Sequence, residues 1–544
     1  MQSKMVVGLL ATMLIGGGCS EGEDGRKFLD DAAVASCVQG LVESCECADG
    51  SLGVTSCEAD GAGFGACVCA DEGGLNTGGV EENATASERA LAGDIRIREI
   101  AAYQPVKVPL VQDGDLVLDR NAPLIEGRAA FIRVFVEPTE LFQPRVLEAE
   151  LLLTSSEGAS RLLTAEATIS RTSTDEDVAS TFNFEVPATL MTADVRYNVR
   201  LVEVTDIDLG LTQQVHAAAQ FPVAPVNWAE LGPRSAGGPL QVVIVPYVYT
   251  ADGSERLATV NTTAVALYRR LLMSRYPIAN VEFTFHEPVA YDAEITPTTG
   301  WEEFLDTHCV LRQQENPDPK VLYYGLIEPR ETVDEYGGGI VGISYLPGPA
   351  ANYGRCSVGV GYATDLSALT LVHELGHALG LPHAPCGVDG EAFPYEDATI
   401  GVWGYTKSST RGPIMVNPDS AYDLMSYCQP SFISDYNFQK LFERLRYLNL
   451  QFNQVPLATP QGYVRILQKA NGEARSLGAM MMPDGPPGGD DEERVVSLQA
   501  ADGSWQDETG YFIASSEEGA GVWFVPDLGA VRVRLLNGVE VGLP

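Results

Sequence analysis

"HELGHALGLPHAPCG", residues 373–387, holds three of the six histidines in a chain of 544 residues. The longer stretch "DLSALTLVHELGHALG" sets Leu369, Val372, Leu375 and Leu379 at helical spacing, so it reads as a mostly buried helix starting at Asp365. His373 and His377 are four apart and share one helix face, about one turn from each other. Two imidazoles so placed reach a single cation at about 2.0–2.1 Å, the zinc–nitrogen distance. Glu374 sits beside the first, where its carboxylate can touch a water on that metal without coordinating. Gly380 breaks the helix, and its missing Cβ permits a left-handed turn. The turn brings His383 round as a third ligand and leaves a fourth position for water. A bare H-E-x-x-H also arises in proteins that hold no metal. The extended H-E-x-x-H-x-x-G-x-x-H adds two particular residues at fixed spacing, and an apolar core helix has no need of three histidines.

The chain as a whole sets bounds on this site. Its length exceeds one ordinary hydrophobic core and predicts two to four domains. A formal net charge of −39 argues against nucleic acid or an anionic membrane surface as partner. It fits a soluble extracytoplasmic protein. The N-terminus, "MQSKMVVGLLATMLIGGGCS", has a positive Lys4 and an apolar run over 5–15 that is too short to span a bilayer, so residues 1–19 read as a signal peptide. No later apolar run is long enough for a membrane span. Cys19 follows small residues as in the lipobox of bacterial lipoproteins, where that cysteine is lipidated; Gly16 departs from the usual leucine, and ordinary secretion is the alternative. Ten further cysteines suit an oxidising compartment. Six of them crowd into 37–69, a module too small to fold without bridges, with zinc binding as the competing reading. Cys309, Cys356, Cys386 and Cys428 surround the histidine motif.

Residues 20–94 read as an acidic tether, the Cys-rich module and a flexible linker. Over 95–225 short alternating runs such as "AAFIRVFVE" and "YNVRLVEVT" predict an antiparallel β-sandwich domain, with His216 structural. Over 238–450, strands such as "LQVVIVPYVY" and "KVLYYGLI" alternate with the helix "LATVNTTAVALYRRLLMSRYP", which predicts a layered α/β domain with a mixed sheet. "SDYNFQKLFERLRYL" begins at a Ser434 cap and carries Phe438, Leu441, Phe442, Leu445 and Leu448 on one face. Residues 455–544 return to short strands, a small C-terminal β domain.

The extended motif resembles that of the metzincin zinc endopeptidases. The resemblance covers roughly 238–450 and is specific from about 337 to 430; bacterial lipoprotein, reprolysin-like and pappalysin-like branches all share parts of it, and Ala384 after the third histidine matches none of the best-known ones. It implies that 238–450 is a metzincin-like α/β (α+β) catalytic domain with a mixed sheet and an active-site helix, so the fold class expected is multidomain, with the β-sandwich and the small β-rich domain flanking it. It implies a methionine turn, supplied by "AYDLMSYC" with Met425 under the imidazoles, and makes Tyr427 a candidate oxyanion stabiliser, a packed turn aromatic being the alternative. It implies a substrate-pairing edge strand in "GGGIVGISYLPG", carried over to Gly339, Ile340, Val341, Gly342 and Ile343, although the glycines also suit a plain loop. If His383 and Met425 meet at the metal, Cys386 and Cys428 are neighbours, which predicts the bridges Cys386–Cys428 and Cys309–Cys356.

The resulting expectation is a monomeric, cell-surface or secreted endopeptidase with one catalytic Zn2+ on His373, His377 and His383. Glu374 acts as general base, and the partner is a protein or peptide substrate. The membrane is met only through a lipid anchor. Structural Ca2+ is compatible with the acidic composition, but no loop has the spacing to assign it. The alternatives are a surface-anchored adhesion protein with an inactive protease domain and a glycoprotein-selective, mucinase-like protease.

Overall fold

The structure, a computed structural model, describes residues 85–544 apart from short segments at 157–159, 205–216, 224–226, 391, 409–411, 451–458 and 484. It also describes the backbone of three earlier strands, Val42–Glu46, Leu52–Ser56 and Glu81–Glu82. The N-terminal segment with Cys19, the side chains of the six-cysteine module and His216 lie outside the described residues. The chain divides into two compact units, Met1–Ala70 and Asp71–Pro544. In the first, Val42–Glu46 pairs antiparallel with Leu52–Ser56.

The second unit opens with two antiparallel sheets. One runs in the order Phe182–Val186, Ala130–Pro138, Ile95–Tyr103, Lys107–Gln112, Asp115–Leu116. The other is built on Arg196–Glu203, Arg145–Thr154 and Ser160–Ile169. Side chains alternate across each strand, so Ile132, Val134 and Val136 of one sheet and Tyr197, Val199 and Leu201 of the other are buried in one core.

Next comes a mixed sheet. Leu240–Tyr249 lies parallel to Leu322–Ile327, which lies parallel to Cys356–Val360, and Gly342–Ser344 closes the edge antiparallel. Five α-helices occur among the described residues: α1 Thr262–Met273, α2 Trp301–Glu315, α3 Val333–Tyr336, α4 Asp365–Ala378 and α5 Asp435–Leu450. None is long and apolar enough to cross a membrane. Strand alternation sorts the helices into layers. Leu322, Tyr324 and Leu326 join the core that also takes in residues of α1, α4 and α5. Tyr323 and Ile327 point the other way and pack with Trp301, Phe304 and Leu305 of α2.

Helix α2 has no counterpart in the sequence expectation. Its buried stripe includes Asp306, His308 and Arg312, so polar residues interrupt the apolar period that would reveal it. Below it lies a seven-stranded antiparallel sheet from the C-terminal region, whose Tyr463, Ile513, Val522 and Phe524 join the same core. A buried ion pair fastens the two: Arg465 Nη1 lies 2.6 Å from an Asp306 carboxylate oxygen. The molecule is a multidomain α+β protein, rich in β-sheet.

Candidate metal centre and cleft

Helix α4 starts where Thr364 Oγ1 accepts from Ser367 N, and it is buried along most of its length. It stops in a paired C-terminal cap. Leu381 N–H donates to Gly376 O at 3.0 Å and Gly380 N–H to His377 O at 2.7 Å, with Gly380 at φ +86°. That reversal returns His383 to the helix face that carries His373 and His377.

The three imidazoles converge. His377 Nε2 lies 3.0 Å from His373 Nε2 and 3.1 Å from His383 Nε2. His373 Nδ1–H donates to Leu424 O at 2.8 Å and His377 Nδ1–H to Leu381 O at 2.7 Å. These bonds fix both tautomers and turn the Nε2 lone pairs of His373 and His377 towards each other. Burial pushes His373 and His383 down to about 4, and pushes His377 down as well, which favours the neutral form that can ligate a cation. Facing lone pairs repel unless a cation sits among them. A metal held tetrahedrally at zinc–nitrogen distances needs nitrogens roughly 3.3 Å apart, close to what is seen. The donor set fits a metal ion.

Beneath the rings runs the turn 423–428. Met425 is fully buried, and a Cβ on Gly376 would come within 2.6 Å of its sulfur. Gly376, between His373 and His377, therefore has to be glycine for the methionine to approach. Asp423 anchors the turn: its carboxylate accepts from Met425 N at 2.9 Å, Ser434 N at 2.9 Å and Asn437 Nδ2 at 2.7 Å. Burial pushes that carboxyl up despite these donors. The turn also grips the ligand loop. Ala384 N–H donates to Met425 O, Tyr427 N–H donates to Cys386 O, and Cys386 is bridged to Cys428 with a Cα separation of 5.7 Å. The second bridge, Cys309–Cys356, ties α2 to the sheet with a Cα separation of 5.5 Å.

Glu374 is 5% exposed, and its Oε2 has no hydrogen-bond partner among the described residues. Burial first, and the charge of Glu517 second, push its carboxyl well above the carboxylate range. The Tyr427 ring stands 5.1 Å from that of His383 and 5.7 Å from that of His373, with the residue 53% exposed. His373, Glu374, His383 and Tyr427 face an open cleft of about 810 Å³.

Of the five residues assigned to the edge strand, Gly342 and Ile343 lie in Gly342–Ser344, at the edge of the sheet. Gly339, Ile340 and Val341 precede it and line the cleft, whereas Ile343 is fully buried in the core. A Cβ on Gly342 would sit 2.5 Å from Thr370 Cγ2 and 2.9 Å from Glu374 Cγ, so the strand lies flat on the helix. Gly339, at φ +112°, has Pro297 O 2.4 Å from where a Cβ would be, so only glycine fits there. Sequence reasoning missed Gly376 and Asp423, although both stand inside the quoted motifs. It also missed Ser516, Glu517 and Glu518, which reach the cleft from the C-terminal sheet.

Residues 349–440 match the model of the Peptidase M66 family, a stretch that holds all of α4, His383, the Cys386–Cys428 bridge, Met425 and Tyr427. No curated protein matches the chain. Among solved structures it is similar to metalloproteinase-II from Bacteroides fragilis, at 12% identity over 63% of this chain and 87% of that one, with a TM-score of 0.23. The family match over the very residues that converge supports a metallopeptidase.

Proposed function

We propose that the protein is a zinc-dependent endopeptidase of metzincin type that cleaves extracellular proteins. The observation that carries this reading is the convergence of three imidazole nitrogens beside a buried Glu374 oxygen that has no partner among the described residues, in an open cleft. His373, His377 and His383 would hold the ion, and three nitrogen donors around an open position suit zinc. Zinc bound there supplies Lewis-acid polarisation of a carbonyl and acidifies water. The chain's own groups do the rest. Glu374 takes a proton from the attacking water and returns it to the leaving amine. Leu424 O and Leu381 O keep His373 and His377 in the ligating tautomer. Tyr427 is the candidate donor to the developing oxyanion. The edge at Gly342 aligns an extended peptide.

The same reading takes 95–225 as a β-sandwich domain, 238–450 as the peptidase domain and 455–544 as a C-terminal β domain. It takes the protein as an extracytoplasmic monomer, anchored through a lipid on Cys19 or secreted. The test is casein hydrolysis by the metal-loaded protein. Glu374→Gln is expected to lower the rate at least about 100-fold while one zinc per chain is retained. A fully active variant, or wild-type activity indifferent to a chelator, overturns the assignment.

A further inference from the structure

The two edges of Gly342–Ser344 differ. Val360 N–H donates to Val341 O, and Ile343 is in register with Val358. Backbone groups of successive residues in an antiparallel ladder point to opposite edges, so Gly342 and Ser344 present theirs away from the sheet. Those of Ser344 are taken: its C=O accepts from Ser516 N at 2.8 Å and its N–H donates to Ser516 Oγ at 3.2 Å. Leu346 N–H then donates to Ala514 O at 2.8 Å. At the other end Ile340 N–H donates to Pro297 O at 2.8 Å, and its C=O accepts from the Tyr336 hydroxyl. Along this edge Gly342 alone keeps both outward groups unengaged by any described residue. A peptide therefore finds one residue's worth of ladder between two walls, and discrimination falls to the side chains on those walls.

One wall is the turn 515–520 of the C-terminal sheet, joining Trp505–Ala514 to Gly521–Pro526. Its backbone is tied internally, Ser515 N–H to Ala520 O at 3.0 Å and Ala520 N–H to Glu517 O at 3.1 Å. Glu517 thus enters the cleft from a fixed base. It is half-buried, and no described residue pairs with its carboxylate. Burial and the neighbouring Glu302 push its carboxyl up. Asp389 and Glu518 also line the cleft, and among the described residues no lysine or arginine does. Most acids of so acidic a chain are simply solvated. A half-buried carboxylate among other carboxylates instead carries a desolvation and repulsion cost that an incoming cation relieves.

We infer that Glu517 is a specificity-determining residue that selects peptides bearing a lysine or arginine beside the scissile bond. The inference rests on the peptidase reading. The test is digestion of a proteome-derived peptide library by the metal-loaded protein at low ionic strength, with cleavage sites read by mass spectrometry. Lysine and arginine are expected to be enriched about 5–10-fold at one position next to the cut. Glu517→Gln is expected to lose that enrichment, and Glu517→Lys to replace it with aspartate and glutamate. Raising the salt to about 0.5 M should flatten the wild-type preference, an arm that needs no variant to fold. Cleavage without basic enrichment, or enrichment unchanged in Glu517→Gln, overturns the inference and leaves the peptidase standing. No cleavage at all overturns both.

Discussion

At the scale of single residues Asp423 holds the turn that packs against the three histidines. Its carboxylate is fully buried and receives donors from the methionine turn and from the start of α5. The next residue, Leu424, supplies the carbonyl that orients His373. Removing the carboxylate leaves Met425 N–H, Ser434 N–H and the Asn437 amide without an acceptor, each costing about 1–3 kcal/mol. Asp423→Ala is therefore expected to lower stability by roughly 3 kcal/mol or more in chemical denaturation. Because a lost outer partner weakens a ligand, zinc affinity should fall about 10–100-fold in a competition assay with a chromogenic chelator. Asp423→Asn keeps one acceptor oxygen and should lose less of both. An alanine variant that binds zinc like the wild type would show that the turn does not orient the ligand.

At the scale of elements, the contact between the edge strand and α4 positions Glu374. Any side chain at Gly342 meets Thr370 Cγ2 and Glu374 Cγ, both on a buried helix that cannot retreat. Gly342→Ala is expected to cost only about 1–3 kcal/mol of stability, the range for overpacking. It should lower kcat/KM by about 100-fold, because displacement of a reacting group by about 1 Å is that costly. Thr370→Ser removes the closest methyl and should restore part of the loss; no rescue would mean that the damage lies elsewhere. These elements were unequally legible in the sequence. Helix α4, its stop at Gly380 and the start of α5 at Ser434 are local signals, written within a few residues of where they act. The histidine cluster was legible because its members are four and six residues apart. Helix α2 was not, since Asp306 and His308 occupy positions where an apolar period is sought. The pairing of Ser344 with Ser516 joins residues 172 apart, and no local pattern encodes it.

At the scale of the whole molecule, a histidine buried in neutral form is expected to tie stability to pH. His308 is not one of the three converging histidines; it is fully buried on α2, with Tyr247 Oη at 3.2 Å from its Nδ1. Burial lowers its pKa from 6.5 to about 3. The unfolded chain therefore binds a proton below about pH 6.5 that the folded chain refuses until about pH 3. The contribution of His308 is fully present above pH 6.5 and is lost as the pH falls from there towards 3, with a slope of up to about 1.4 kcal/mol per pH unit. The net charge of −39 works in the opposite sense, because protonating carboxylates relieves repulsion, so the wild-type profile alone is not diagnostic. The comparison with His308→Gln isolates the term. The variant should be less stable at pH 7, since glutamine neither fills the ring's site nor keeps its geometry. Between about pH 6.5 and 4, however, its stability in urea should fall less steeply than that of the wild type. Parallel profiles would mean that His308 is protonated in the folded protein, and that the face of the sheet shared by α2 and the C-terminal strands is wetter than its packing shows.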